Sequence, residues 1–373
     1  MEKSQVAGLY IHFPFCGAKC PYCHFYSVPY KPKLVEAWLS TLEKEASILA
    51  APGLSFDTIY LGGGTPSLIG STGVIELRRF LDKNLQVSAQ EFTLEANPGI
   101  TSINALKKWK EAGVNRISLG VQSFDDKILK LLGRDYTSAG AEAFYHSLRR
   151  VFDNISIDLM IGVPFEDKKN APRTLKHIRK LQPEHVSLYI LENLEGLPYE
   201  AVARKNPVDD DSVADEYDEL VEGLKALGFV HYEISNFARP GRESRHNLKY
   251  WRYEPFLGLG PSACSHLGDK RWCNQADLKA WQHSVGEGEK GKSEVVELSP
   301  AGSVKEAIIF GLRLIDGINL SEFKHRFGVD IVSRYAEAIA QLRRDGLIVL
   351  EKDGLRISQG KLLVSNQILS HFI

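Results

Sequence analysis

The chain is short of the features that would assign it cheaply. It has no apolar run near the ~18–20 residues a membrane span requires, and its opening MEKSQVAGLYIHF lacks the apolar core of a secretory signal. There is no excess of one charge: 46 Lys and Arg face 47 Asp and Glu, for a net charge of −1. Neither nucleic acid nor an anionic membrane is therefore indicated as the main partner, although the sequence leaves a peripheral membrane contact open. No low-complexity tract interrupts the 373 residues. These absences predict a cytoplasmic protein with one large catalytic-type domain and a small appendage. Cysteine is scarce as well. Five cysteines in a reducing compartment make a poor disulfide framework. Yet three of them, Cys16, Cys20 and Cys23, fall within eight residues, and that clustering needs a cause.

The first two thirds alternate short β-rich runs, at 9–12, 56–61, 91–95, 116–119, 155–161 and 185–191, with helical patterns such as 33–49, 74–84, 103–111 and 139–151. Such alternation predicts βαβ units and a parallel α/β sheet, either a partial (β/α)6-type barrel or an open doubly wound sheet. A further helix is expected where Tyr217, Leu220, Val221, Leu224 and Leu227 recur before Gly228, capped by the acidic loop 206–211. The Gly- and charge-rich stretch 284–293 reads as a linker. Beyond it, helices at 303–314, 320–327 and 335–345 and a hairpin of 348–351 with 355–357 predict a winged helix. The expected domains are 1–294 and 295–373. The segment 303–373 holds ten Lys or Arg against eight Asp or Glu, which argues against phosphate binding.

Cys16-x3-Cys20-x2-Cys23 follows the first strand, in a loop whose Pro14 and Pro21 forbid a continuing helix. Thiolates suit an iron–sulfur cluster or zinc, the latter with His12 or His24 as fourth ligand. Three thiolates on a [4Fe–4S] cubane leave one iron open to a chelating ligand. S-adenosylmethionine (SAM) has the amino and carboxylate groups for that place. Gly62-Gly63-Gly64-Thr65-Pro66 lies at the carboxyl end of the second strand, where parallel barrels carry their chemistry. Glycines there are expected to let backbone groups approach a ligand. Later strands end near Glu95, Gln122 and Asp158, and Arg134 follows. Carboxylates can hold ribose hydroxyls, and an arginine can pair with a carboxylate.

YIHFPFCGAKCPYC, GGGTPS, LEANP, GVQSF, LGR and the C-terminal segment together resemble the HemN-like radical SAM family across nearly the whole chain. That family contains oxygen-independent coproporphyrinogen III dehydrogenases and a HemW-type branch of haem chaperones. The resemblance implies a [4Fe–4S] cluster on Cys16, Cys20 and Cys23. It implies SAM contacts at Tyr10, Tyr22, Gly63, Gly64, Thr65, Glu95, Gln122, Arg134 and Asp158, with Cys264 of GLGPSACSH as a further one. It names no catalytic side chain. Phe25 stands where the dehydrogenases have a fourth cysteine, and the segment ahead of the cluster is short, so decarboxylation is not the expected activity. His246-Asn247-Leu248-Lys249-Tyr250-Trp251 matches the HNxxYW signature of the HemW-type branch. The resemblance thus makes haem a further ligand, with His246, Asn247, Tyr250 and Trp251 as candidate residues and a haem-acceptor protein as partner. Read from residues alone, His246 and the two aromatics fit a packed domain interface better than a haem site, and the resemblance reverses that order. A homodimer stays open, and Cys273 reads as a buried apolar thiol.

Overall fold

A computed structural model describes residues 5–99, 101–167, 169–192 and 195–373. The six β-rich runs form parallel strands β1 Gln5–Phe13, β2 Leu54–Gly63, β3 Gln86–Ala96, β4 Arg116–Gln122, β5 Ile155–Ile161 and β6 His185–Ile190. Each pairs with the next in chain order. A doubly wound sheet reverses its order part-way, and this one does not, so the barrel-type alternative holds.

The crossover helices include α1 Pro32–Leu49, α2 Gly70–Asn84, α3 Ile103–Glu111, α4 Ser138–Arg149 and α5 Asn170–Leu181. Their starts are written locally. Pro32 opens α1, while Ser102 and Thr137 accept backbone N–H bonds as caps of α3 and α4. Helix α1 packs by its apolar face. Trp38 is fully buried and meets Phe13 edge-on at 5.3 Å between ring centroids. Its truncation to alanine is of the kind that costs about 3–5 kcal/mol. The helix predicted before Gly228 is α6 Asp210–Ala226, and Asp209 of the acidic loop caps it by accepting from Ser212 N–H at 3.0 Å.

The sheet continues past both ends of the barrel strands. On one side lie β7 Val230–Glu233 and β8 Asn236–Ala238. On the other are β9 Phe256–Leu259, parallel to β1, then antiparallel β10 Cys264–Leu267, β11 Lys270–Asn274 and β12 Lys292–Glu297. The segment 284–293 is only partly a linker, because it ends the helix Leu278–Gly286 and begins β12. Buried Glu45 ties this extension to α1. It accepts from Gly260 N–H (2.8 Å), Asn274 Nδ2 (2.6 Å) and Trp281 Nε1 (3.1 Å). Burial nonetheless lifts its pKa to about 7.

After β12 the chain forms α9 Pro300–Gly311, β13 Ile318–Asn319, α10 Leu320–Phe327, α11 Ala336–Arg344, β14 Ile348–Leu350 and β15 Gly354–Ile357, with α7 and α8 reserved for Arg245–Trp251 and Leu278–Gly286. The helices and hairpin stand where the pattern put them, and β13 adds a third strand in the order β13-β15-β14. Strand β12 runs through residue 295. The second hydrophobic core also recruits Ile234 and Tyr253 from before it. Among the described residues, no helix is long and apolar enough to cross a membrane.

Candidate functional site

The carboxyl ends of the barrel strands surround a cavity of about 780 Å³. Cys16, Cys20 and Cys23 line it, together with Tyr22, Gly63, Gly64, Thr65, Glu95, Gln122, Arg134 and Asp158. Parallel pairing explains the convergence. Glu95 on β3 sits beside Ser118 on β4, and Asp158 on β5 sits beside Gly120. Alternation along each strand then turns these residues into the lumen.

Each polar group has a defined setting. Glu95 accepts from Tyr60 Oη (2.8 Å) and Gly63 N–H (3.0 Å), and burial raises its pKa to about 7 despite both bonds. Asp158 accepts from Ser118 Oγ at 2.7 Å and Ser156 Oγ at 2.9 Å. Arg134 bonds the Tyr22 hydroxyl. Burial opposes the Arg134 charge, yet Tyr136, Tyr22 and Cys20 outweigh it, and its pKa rises. Burial also pushes the Tyr22 phenol up to about 12. Gln122 closes β4 with φ of 67°, a left-handed value that a non-glycine residue rarely holds.

The glycine turn works differently from expectation. The N–H groups of Gly63, Gly64 and Thr65 are all taken within the protein, by Glu95, Phe13 O and Phe15 O. A Cβ on Gly64 would lie 2.6 Å from Phe15 O. These glycines hold the cysteine loop against β2, and do not present a row of free donors.

Among the described residues, no three His, Cys, Asp or Glu side chains converge as a single metal ion demands. A cubane gives each thiolate its own iron. His12 is no fourth ligand either: Nδ1 meets Tyr10 Oη at 2.9 Å and Nε2 meets Tyr26 O at 3.1 Å. His24 stays at the cavity, its ring 4.6 Å from Phe25. The donor set therefore fits a cluster with one iron lacking a protein ligand. Arg134 adds a second sign of a missing partner, since its buried Nε makes no hydrogen bond. A carboxylate on the bound ligand is the natural complement. Spacing missed Asn97 and Tyr136, which also line the cavity. Asn97 lies inside the quoted LEANP, and Tyr136 stands two residues after LGR.

Tyr10 and Cys264 are not among the residues that line this cavity. Tyr10 pairs across the sheet with Tyr60, which does line the cavity, and its hydroxyl meets His12 Nδ1. Cys264 sits on β10 directly opposite Cys273 on β11, their Cα atoms 3.9 Å apart and their sulfurs joined as a disulfide. Two readings are thereby corrected: Cys273 is no isolated buried thiol, and a disulfide does form.

The HNxxYW segment is helix α7, Arg245–Trp251, and it plugs the amino-terminal end of the barrel. Glu91 on β3 accepts the N–H groups of Arg245 and His246, both at 3.0 Å. His246 is 1% exposed. Its Nδ1 lies 2.9 Å from Thr58 Oγ1 and its Nε2 lies 2.8 Å from Tyr250 Oη. Burial first, then Lys249 and Arg116, lower its pKa to about 3. His246 is thus a neutral, fully engaged core residue, and in this position it offers no lone pair to a metal. Tyr250 and Trp251 do face a small cleft, while Asn247 is not in its lining.

Comparison with known proteins agrees with this geometry. The radical SAM superfamily model matches residues 10–178, and the HemN C-terminal domain matches 298–361. The heme chaperone HemW of Bacillus subtilis is 31% identical over 373 residues, covering 98% of each chain. HemW of Escherichia coli is 36% identical over 70% of this chain and 71% of its own. A mitochondrial radical S-adenosyl methionine domain-containing protein 1 from Bos taurus is 32% identical over 98% of this chain and 87% of its own. Among solved structures, the coproporphyrinogen III oxidase HemN of Escherichia coli superposes with a TM-score of 0.85 at 24% identity, covering 99% of this chain and 90% of that one. That likeness fixes the fold. The chain belongs to the HemW family of the radical SAM superfamily.

Proposed function

We propose that the chain is a haem chaperone of the cytoplasm: it binds haem, holds a SAM-ligated [4Fe–4S] cluster, and passes haem to an acceptor protein. The observation that carries this reading is identity over 98% of both chains with a relative named a heme chaperone. Support for the cofactors comes from the cavity. Cys16, Cys20 and Cys23 are the proposed cluster ligands, and Tyr22, Gly63, Gly64, Thr65, Glu95, Gln122, Arg134 and Asp158 the proposed SAM cradle. Cluster and SAM together supply one-electron chemistry when bound. Arg134 supplies positive charge for a carboxylate, Glu95 and Asp158 supply acceptors for hydroxyls, and Tyr22 holds Arg134 in place. Near neutrality Glu95 sits close to its own pKa and can hold or release a proton at its carboxyl. Residues 1–294 and 295–373 are the proposed working division, with the second segment as a cover or partner surface.

Anaerobic reconstitution, with iron, sulfide and haem each quantified, tests the proposal. Stoichiometric haem alongside the cluster supports it, and protein that takes up no haem refutes it. A second reading, an enzyme acting on a tetrapyrrole, draws on the polar lining of the cavity. Turnover of coproporphyrinogen III to a vinyl product, followed by mass spectrometry, would favour it.

A further inference from the structure

The polar cradle is braced by residues outside its own lining. Asp158 Oδ1 takes the hydroxyl proton of Ser156, two residues back on the same face of β5, at 2.9 Å. Parallel register sets Ser156 beside His185 on β6, and Ser156 Oγ lies 2.8 Å from His185 Nδ1. His185 Nε2 in turn lies 2.8 Å from Tyr232 Oη on β7, and that hydroxyl oxygen accepts from Ser244 N–H at 3.3 Å. Ser244 is the amino-terminal cap of α7, the helix at the floor. Ser156, His185 and Ser244 are fully buried, and neither they nor Tyr232 line the cavity. One hydrogen-bonded chain therefore runs from a cavity carboxylate to the cap of the HNxxYW helix.

Proton counting gives this chain a direction. Ser156 has one hydroxyl proton and spends it on Asp158, so its oxygen accepts from His185 Nδ1–H. Burial first, then Arg116, holds the imidazole neutral, its pKa well below the ordinary value. A neutral ring carries one N–H, so Nε2 keeps a lone pair and takes the Tyr232 hydroxyl proton. The phenol oxygen is then left to accept from Ser244. Every link donates toward Asp158.

We infer that His185 is a positioning residue: through Ser156 it aims the Asp158 carboxylate at hydroxyls of the bound nucleoside, and through Tyr232 it ties that aim to the cap of α7. The inference rests on the SAM cradle proposed above. Only one tautomer serves it. With the proton on Nε2, Nδ1 would become an acceptor, the Ser156 hydroxyl would turn toward it, and Asp158 Oδ1 would lose its donor. Tyr232 disfavours that state, because Ser244 N–H already occupies its oxygen and its own proton seeks Nε2. The signature helix thus serves the open end of the barrel by holding the far end of the chain.

The test uses anaerobically reconstituted full-length protein: wild type, Tyr232→Phe, His185→Asn and His185→Ala. SAM affinity is measured by calorimetry, with iron and sulfide loading as the check on folding. Tyr232→Phe removes a hydroxyl and keeps the ring, while the Asn amide can donate where Nδ1 did. We expect Tyr232→Phe and His185→Ala to weaken SAM binding about tenfold, the order of one hydrogen bond to a charged group, and His185→Asn to recover most of that loss. Packing alone predicts the reverse, with Tyr232→Phe close to wild type and the two His185 variants alike. Nitrogen NMR of isotope-labelled histidine adds a readout independent of SAM. The ring signals absent from His185→Asn should show a proton on Nδ1 in wild type, and Tyr232→Phe should lose that state. Wild-type affinity in Tyr232→Phe, equal losses in both His185 variants, or a proton on Nε2 in wild type would each overturn the inference and leave the cradle standing. Wild-type protein that binds no SAM would overturn the cradle reading, and the inference with it.

Discussion

The two ends of the barrel are built from the same residue types and do opposite things with them. At the carboxyl end, Arg134 keeps a buried Nε unpartnered and faces a cavity of about 780 Å³. At the amino end, Glu91, Thr58 and Tyr250 satisfy the helix start and both nitrogens of His246. Polar groups left open by a rigid frame bind ligands, and polar groups closed on one another hold the frame. The comparison teaches that a motif's residue types do not reveal its role. Whether the fold leaves those residues unpartnered does.

The largest expected effect breaks the open end alone. Changing Cys16, Cys20 or Cys23 to Ser should remove the cluster, read as loss of iron, sulfide and visible absorbance. The far-UV circular dichroism should stay as in wild type, because these partly buried thiols lie outside all three hydrophobic clusters. Unfolding of the Ser variants would show that the loop is structural and end the contrast.

The closed end should respond in the reverse way. His246→Ala removes a buried ring and orphans the hydroxyls of Thr58 and Tyr250, a combination worth about 2–4 kcal/mol of stability. Denaturant unfolding should show this loss, while cluster loading per folded protein stays unchanged. If stability holds and the cluster is lost, the assignment of floor and site is inverted.

Acidity sharpens the same contrast with a smaller effect. In the folded chain His246 titrates at about 3, against 6.5 ordinarily. Between those values the unfolded chain binds a proton that the folded chain refuses. Its stabilising contribution is therefore complete above pH 6.5 and drains away as pH falls, at up to about 1.4 kcal/mol per pH unit. Glu95, raised to about 7 from 4.5, runs the other way: its contribution is complete below pH 4.5 and is lost as pH rises through 7. In His246→Gln, unfolding free energy should fall less steeply between pH 6.5 and 4 than in wild type. An unchanged slope would mean the ring is protonated in the native protein.

How much was readable followed the range of the contacts. The cluster loop, the strand-end carboxylates and the six-unit barrel rest on local spacing and alternation, so the bare chain discloses them. The floor depends on pairs such as Thr58 with His246, 188 residues apart, and Glu91 with the N–H of His246, 155 apart. No periodicity links such positions. The Cys264–Cys273 pair had a usable signal. A turn near Gly268–Asp269 places 264 opposite 273, just as it places 266 opposite 271. Reasoning from redox compartment alone passed over it.

That pair supplies the smallest expected effect and the cleanest control. Cys264 lies on the sheet extension, outside the cavity that Cys16, Cys20 and Cys23 line. Cys264→Ser should therefore leave iron, sulfide and SAM affinity within error of wild type, and should change only the thiol count under reducing and oxidising conditions. The family resemblance makes the opposite demand, since it puts a SAM contact at this position. A tenfold loss of SAM affinity in Cys264→Ser would mean that β10 swings toward the cavity when ligand binds. The open end would then extend across the sheet, and the separation of an open end from a closed one would no longer describe the molecule.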